Sequence, residues 1–218
     1  MIADGIKPDQ IQIIVPQRLR GGISCQALNT EIQEIANPGV HPGDMKVTYT
    51  ENGTTYEVTY KIGDRIIVMK NNYHAKKPGG RTKNDEVQIF NGNVGYIKEI
   101  TSEQMIVRLT EQGDVQISRG DWKDIGLAYA ITCHKKQGDQ VPYAIVGLDT
   151  SAFSMFSKEW VYTAITRASK FCSFVTHPAA INKAVKISRV RKKQTWLKEF
   201  LAKYSMEETL GKDAVWGK

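Results

Sequence analysis

The chain has 218 residues, 41% of them hydrophobic, with 30 lysines and arginines against 23 aspartates and glutamates and a formal net charge of +7. That length can bury a sizeable core in one or two domains, and the basic balance is the electrostatic footprint of a polyanion binder. No apolar run reaches the roughly 18–20 residues of a bilayer span, the first residues lack a signal peptide's apolar stretch, and the cysteines form no C-x-x-C pair. A cytoplasmic protein with reduced thiols, no membrane partner and no metal site of its own is expected.

Ile11–Val15 is a short β-branched run ending at Pro16, which predicts a buried parallel strand. After the turn Arg18-Leu-Arg-Gly-Gly22, the residues Ile23, Ala27, Leu28, Ile32 and Ile35 recur at helical spacing. Ser24 is placed to cap that helix, and Asn37-Pro38 to stop it. Strand followed by helix opens an α/β unit.

The pattern then changes. Residues 46–60 alternate polar and apolar around Asn52-Gly53, the signal of a hairpin with a type I′ turn. Short strands are predicted at 64–69, 87–90, 95–100, 105–109 and 115–118, separated by Asn91-Gly92, Thr101-Ser102 and Gln112-Gly113. Five short strands in about 60 residues predict a small β-barrel. Residues 71–86 read as a polar, basic loop between strands, with His74, Lys76, Lys77, Arg81 and Lys83.

From Leu127 the α/β pattern returns, with parallel strands predicted at 127–131, 143–148 and 172–176 and a helix over 158–168 that carries Trp160, Val161, Ala164 and Ile165 on one face. Helices are predicted at 179–188 and 194–204, joined by the basic run Arg189-Val-Arg-Lys-Lys193. The fold class expected is α/β: a parallel sheet with helices on both faces, discontinuous over residues 1–59 and 125–204, interrupted by a barrel at 60–124 and followed by a tail at 205–218.

Two blocks stand where these elements meet polar turns: Thr132-Cys-His-Lys-Lys-Gln-Gly138 and Tyr162-Thr-Ala-Ile-Thr-Arg-Ala168. They resemble the fifth and sixth helicase motifs of superfamily 1 DNA helicases, most closely the RecD-like group. The resemblance extends over about 160 residues. Pro16 to Asn37-Pro38 is similar to the start of that group's second RecA-like domain. Gly63-Asp-Arg-Ile-Ile67, Asn71-Asn-Tyr73 and Phe90-Asn-Gly92 are similar to its inserted SH3-like barrel. No G-x-x-x-x-G-K-[ST] phosphate loop occurs in the 218 residues. The resemblance therefore implies the second motor half of a 5′-to-3′ helicase, using ATP with Mg2+ only when an N-terminal helicase domain supplies that loop.

It also implies roles for single residues. Arg167 would reach the γ-phosphate as an arginine finger, suited to it by a planar, permanently charged guanidinium. Gly138 would let the backbone approach a phosphate, with Gln137 shaping the turn and Asp139, where the family usually carries glutamate, meeting a ribose hydroxyl. Arg18 and Arg20 stand near the family's fourth motif, and either could sense phosphate. Thr132, His134 and Lys135 would face nucleic acid as phosphate donors without a base code. In the barrel, Asn71, Tyr73, Phe90 and Asn91 with Lys76, Lys77, Arg81 and Lys83 would track single-stranded DNA by stacking and charge. A stand-alone nucleic-acid-binding protein on the same fold, a superfamily 1 RNA helicase and a conjugative relaxase–helicase are the alternatives. The inserted barrel favours the RecD-like group.

Overall fold

In the computed structural model, which describes residues 5–19, 21–51, 53–133 and 140–189, Ile11–Val15 forms β1 at the centre of a parallel sheet. The chain divides into two units, residues 1–188 and 189–218, and the elements that follow belong to the first. Helix α1, Cys25–Ala36, starts where Ser24 Oγ accepts from the Ala27 amide at 3.3 Å and stops at Asn37, as the capping and Asn-Pro signals predict. Strands β2 (Met45–Glu51) and β3 (Thr54–Tyr60) form the predicted hairpin, in register from Met45 opposite Tyr60 to Glu51 opposite Thr54. Gly53, at φ +75°, supplies the positive φ that the two-residue turn requires.

Seven strands follow: β4 (Arg65–Val68), β5 (Asn72–Lys76), β6 (Glu86–Ile89), β7 (Val94–Ile100), β8 (Gln104–Leu109), β9 (Gly113–Ser118) and β10 (Ile125–Leu127). They form one antiparallel sheet in the order β10-β4-β7-β8-β9-β5-β6, wrapped around a core that includes Tyr60, Ile66, Met105, Val107, Val115 and Trp122. Val58 and Tyr60 of the hairpin share that core, although the sequence pattern groups the hairpin with the α/β portion. At β7 a side chain is sterically barred: a Cβ on Gly95 would collide with the backbone carbonyl of Arg108 on β8.

The chain then returns to the parallel sheet through β11 (Ala130–Thr132), β12 (Val141–Leu148), helix α2 (Lys158–Ile165), β13 (Ala168–Thr176) and helix α3 (Pro178–Lys186). The sheet order is β11-β1-β12-β13, all parallel. Ile14, Ala144, Val146 and Leu148 pack with Trp160, Val161, Ala164, Ala180 and Ala184 of α2 and α3. On the opposite face, a Cβ on Gly147 would press against Val15 and against Ile23, which lies just before α1. The fold is thus a RecA-like α/β sheet with helices on both faces, interrupted by a separate antiparallel sheet.

Three expectations need correction. The segment read as a basic loop at 71–86 contains β5, which pairs with β6 and β9; its one inward apolar side chain, Ala75, is too weak a signal for a strand. The strand expected at 127–131 is two strands: Leu127 ends antiparallel β10, and parallel β11 starts at Ala130. The helix expected over 158–168 ends at Ile165, and Ala168 already pairs with Val141 in the sheet. The helix expected at 194–204 and the tail lie outside the described residues, as does the basic run beyond Arg189.

Candidate functional site

Arg167 is placed by the end of α2. Ser157 Oγ caps the helix by accepting from the Trp160 amide at 3.2 Å, and Trp160, Val161 and Ala164 bury one face against the sheet. The chain turns at Thr166–Arg167 and enters β13. The Arg167 carbonyl accepts from the Val141 amide at 2.8 Å, its own amide donates to the Ala164 carbonyl at 3.3 Å, and its Nε donates to the Thr163 carbonyl at 3.3 Å. The Gln140 side-chain amide donates to the Thr166 carbonyl at 3.3 Å.

Cys133 shows that the preceding strand end is nearby. Burial pushes its thiol up to about 11, and the positive charge of Arg167 pulls in the opposite direction. Gln140 and Val141, on the far flank of residues 134–139, therefore bond the Thr166–Arg167 turn, and Cys133 on the near flank lies within range of the Arg167 charge. His134, Lys135, Gln137, Gly138 and Asp139 themselves lie outside the described residues, as does Arg20.

Thr132 closes β11 opposite Val15 and lines a cavity of about 70 Å³ with Arg18, Cys25, Gln26, Tyr49 and Tyr56. A nucleotide-sized ligand occupies pockets of roughly 300–1,000 Å³, so this space suits a few waters. Arg18 is engaged there: its Nη1 forms an ion pair with Glu51 at 2.8 Å and its Nη2 donates to the Tyr56 hydroxyl at 3.2 Å. Arg18, just beyond the end of β1, thus ties the hairpin to the parallel sheet, and Tyr49 and Tyr56 pack beside it with ring centroids 5.7 Å apart.

On the antiparallel sheet, Asn71, Tyr73, Phe90 and Asn91 come together. Tyr73 and Phe90 meet edge to face at 6.1 Å, and both remain 50% and 41% exposed. Asn71 holds them, its Nδ2 donating to the Tyr73 hydroxyl at 2.9 Å and its Oδ1 accepting from the Asn91 amide at 2.8 Å. Sequence reasoning missed Asn93, whose Oδ1 accepts from the Phe90 amide at 2.6 Å; the Asn-Gly-Asn turn carried that signal.

Lys76 ends β5, and Lys77, Arg81 and Lys83 lie on the following turn. Asp85 organises this turn and was also missed, although Thr82-x-x-Asp85 is a capping-box spacing. Its Oδ2 accepts from the Thr82 amide, the Thr82 hydroxyl and the Arg81 amide at 2.9, 2.7 and 3.1 Å, and these bonds hold its carboxyl below the usual range. The four basic residues so presented are exposed or only half-buried cations. No group of side chains with metal-ligating potential occurs among the described residues, and no described helix is long and apolar enough to cross a membrane.

Residues 127–175, which include both sequence blocks, match the UvrD-like helicase C-terminal domain family. The chain is 27% identical over 161 residues to the ATP-dependent RecD2 DNA helicase of Deinococcus radiodurans, covering 74% of this chain and 19% of the relative. It is 28% identical over 120 residues to the RecBCD enzyme subunit RecD of Mycobacterium tuberculosis, covering 55% and 21%. The chain thus spans about a fifth of the length of these relatives. Its fold is similar to that of the Pif1 helicase from Bacteroides, solved in complex with ADP-AlF3 and ssDNA, with a TM-score of 0.51 at 16% identity over 88% of this chain and 45% of that one. Fold and matched segment together define the C-terminal domain of a superfamily 1 helicase. The likeness to the RecD2 and RecD relatives supports the C-terminal half of a RecD-like helicase within that class.

Proposed function

We propose that this chain is the second motor half of an ATP-dependent DNA helicase that moves 5′ to 3′ along single-stranded DNA. The observation that supports the reading most is the hydrogen bonding of Gln140 and Val141 to the Thr166–Arg167 turn, with Cys133 within range of the Arg167 charge. In this reading the two blocks, about thirty residues apart in sequence, come together so that Arg167 and the Gly138 turn address the same phosphate.

In this reading Arg167 is the arginine finger. It stabilises charge on the transferred phosphoryl group of ATP once a phosphate-loop domain has positioned that group and its Mg2+. Gln137, Gly138 and Asp139 shape the nucleotide-facing turn, and Thr132, His134 and Lys135 contact the DNA backbone. Arg18 would have to exchange Glu51 for phosphate, so Arg20 carries phosphate sensing at the first strand's exit. The Tyr73–Phe90 pair offers exposed ring surface to unstacked bases, and Lys76, Lys77, Arg81 and Lys83 attract the phosphates without reading sequence. Domain closure on ATP and opening after hydrolysis would convert this contact into translocation.

The test is Arg167→Ala in the complete two-domain protein. ATP turnover should fall by roughly 10³–10⁵-fold, the contribution typical of an arginine finger, with single-stranded DNA binding retained. Turnover within a few-fold of the parent would remove Arg167 from the reaction.

A further inference from the structure

Two short segments lie where the antiparallel and parallel sheets meet: residues 61–64, the outgoing crossing from the hairpin to β4, and residues 128–129, the returning crossing from β10 to β11. Flexible domain joints are exposed and polar, with few contacts across them. In these two, Lys61, Asp64 and Ala128 are buried and Tyr129 is partly buried, with Ile62 and Gly63 exposed between Lys61 and Asp64, and the polar groups are bonded.

On the outgoing crossing Asp64 is fully buried. Its Oδ1 accepts from Asn37 Nδ2 at 2.9 Å and from the Tyr129 hydroxyl at 3.1 Å. Its Oδ2 accepts from the Lys61 amide at 2.7 Å and from Gln33 Nε2 of α1. The Lys61 ammonium, itself buried, donates to the carbonyls of Asn37 and Gly39 at 3.2 and 2.8 Å and pairs with Glu34 at 3.0 Å.

The returning crossing is held from the other side. Asn29 of α1 donates to the carbonyls of Leu127 and Ala130 at 3.1 and 3.0 Å and accepts from the Ala130 amide at 2.7 Å. Gln12 of β1 donates to the carbonyls of Ala128 and Tyr129 at 3.2 and 3.1 Å. Arg65 Nη1 of β4 donates to the Ile11 carbonyl at 2.9 Å, tying β4 directly to β1. Tyr129 unites the two crossings, since its backbone lies in one and its hydroxyl bonds Asp64 in the other. A small apolar cluster of Ile67, Ala128 and Ile131 fills the same joint.

We propose that this double crossing locks the two sheets into one rigid body, with Asp64, Asn29 and Tyr129 as its positioning residues. A swivel would strand a buried carboxylate and several buried amide groups without partners, and buried polar groups resist that. The Tyr73–Phe90 cluster then keeps a fixed distance from β11 and Thr132. The lock follows from the fold and does not depend on what that cluster binds.

The experiment measures distance distributions by pulsed electron resonance between nitroxides on Lys170→Cys in β13 and Glu111→Cys in the β8–β9 turn, with Cys172→Ser to remove the most accessible native thiol. One narrow distribution, unchanged by a dT oligonucleotide, is expected. A broad or multiple distribution, or a shift on adding the oligonucleotide, would overturn the lock. Asp64→Asn leaves Oδ1 an acceptor but turns an amide toward two donors, so it should broaden the distribution; a folded variant with an unbroadened one removes Asp64 from the lock. Tyr129→Phe deletes only the bridging hydroxyl and should speed amide hydrogen exchange across residues 125–132 several-fold. Unchanged exchange would remove Tyr129, and both measurements on the parent decide the proposal even if Asp64→Asn does not fold.

Discussion

Cys25 opens α1 and Cys133 follows the end of β11, and burial governs both. It pushes the Cys25 thiol up to about 12, against the opposing charge of Arg18, and the Cys133 thiol to about 11. Only the thiolate reacts, and a thiol raised to about 12 is ionised at about one part in 10⁴ at pH 8. Cys172 is also raised by burial but is only partly enclosed. Alkylation of the native chain with iodoacetamide at pH 8, followed by peptide mass spectrometry, should therefore modify Cys172 first, with Cys25 and Cys133 reacting after denaturation. Equal labelling of Cys25 and Cys172 in the native chain would contradict the burial assigned here. In the proposed reading Arg167 is the residue activity depends on most: its backbone is held by Val141 and Ala164, so its removal should cost rate and spare the fold.

Among the elements, β5 and the turn that follows it carry the barrel's DNA contact in the proposed reading. Asp85 folds the turn by accepting three hydrogen bonds, which leaves Lys76, Lys77, Arg81 and Lys83 on a shaped strand-and-turn unit. Replacing all four with alanine should weaken single-stranded DNA binding similarly across sequences and flatten its salt dependence. Each lost phosphate contact lowers the slope of log K against log salt by about 0.7 for single strands. Fluorescence anisotropy at several salt concentrations measures this, and an unchanged slope would return the unit to ordinary solvated surface. The strand itself was hidden in the sequence because Asn72–Lys76 offers one buried side chain, Ala75, where a period-two pattern needs at least two. Its pairing comes from β6 and β9, contacts no local window contains.

At the scale of the molecule, the chain holds one face of a two-faced nucleotide site in the proposed reading. The other face would cradle the β- and γ-phosphates with backbone N–H groups, a lysine and a magnesium ion. Arg167 can recognise a phosphate already positioned but cannot orient it for in-line attack. Attraction to solvent-facing arginines is screened within about 8–10 Å at physiological salt, so nucleotide should bind in the millimolar range at best. The purified chain alone should release no phosphate from ATP, with or without single-stranded DNA. DNA-stimulated turnover by this chain would require a phosphate site not described here and would end the half-motor reading.

The sequence by itself determined the elements whose residues carry their own signal. These are β1, from its β-branched run; α1, from Ser24 and Asn37-Pro38; and the hairpin, from Asn52-Gly53 and strict alternation. It also marked the two blocks around Thr132 and Arg167, because each places unusual polar residues at the end of an apolar element. What it left open depends on contacts between distant residues. Leu127 and Ala130 are three positions apart and equally apolar, yet one ends an antiparallel strand against β4 and the other begins a parallel strand against β1. Only the partner strands decide between them. Likewise Gln12, Asn29, Asp64 and Tyr129 are unremarkable polar residues in the sequence. They become a buried joint because hydrogen bonds across as many as 117 positions satisfy one another once both sheets are in place.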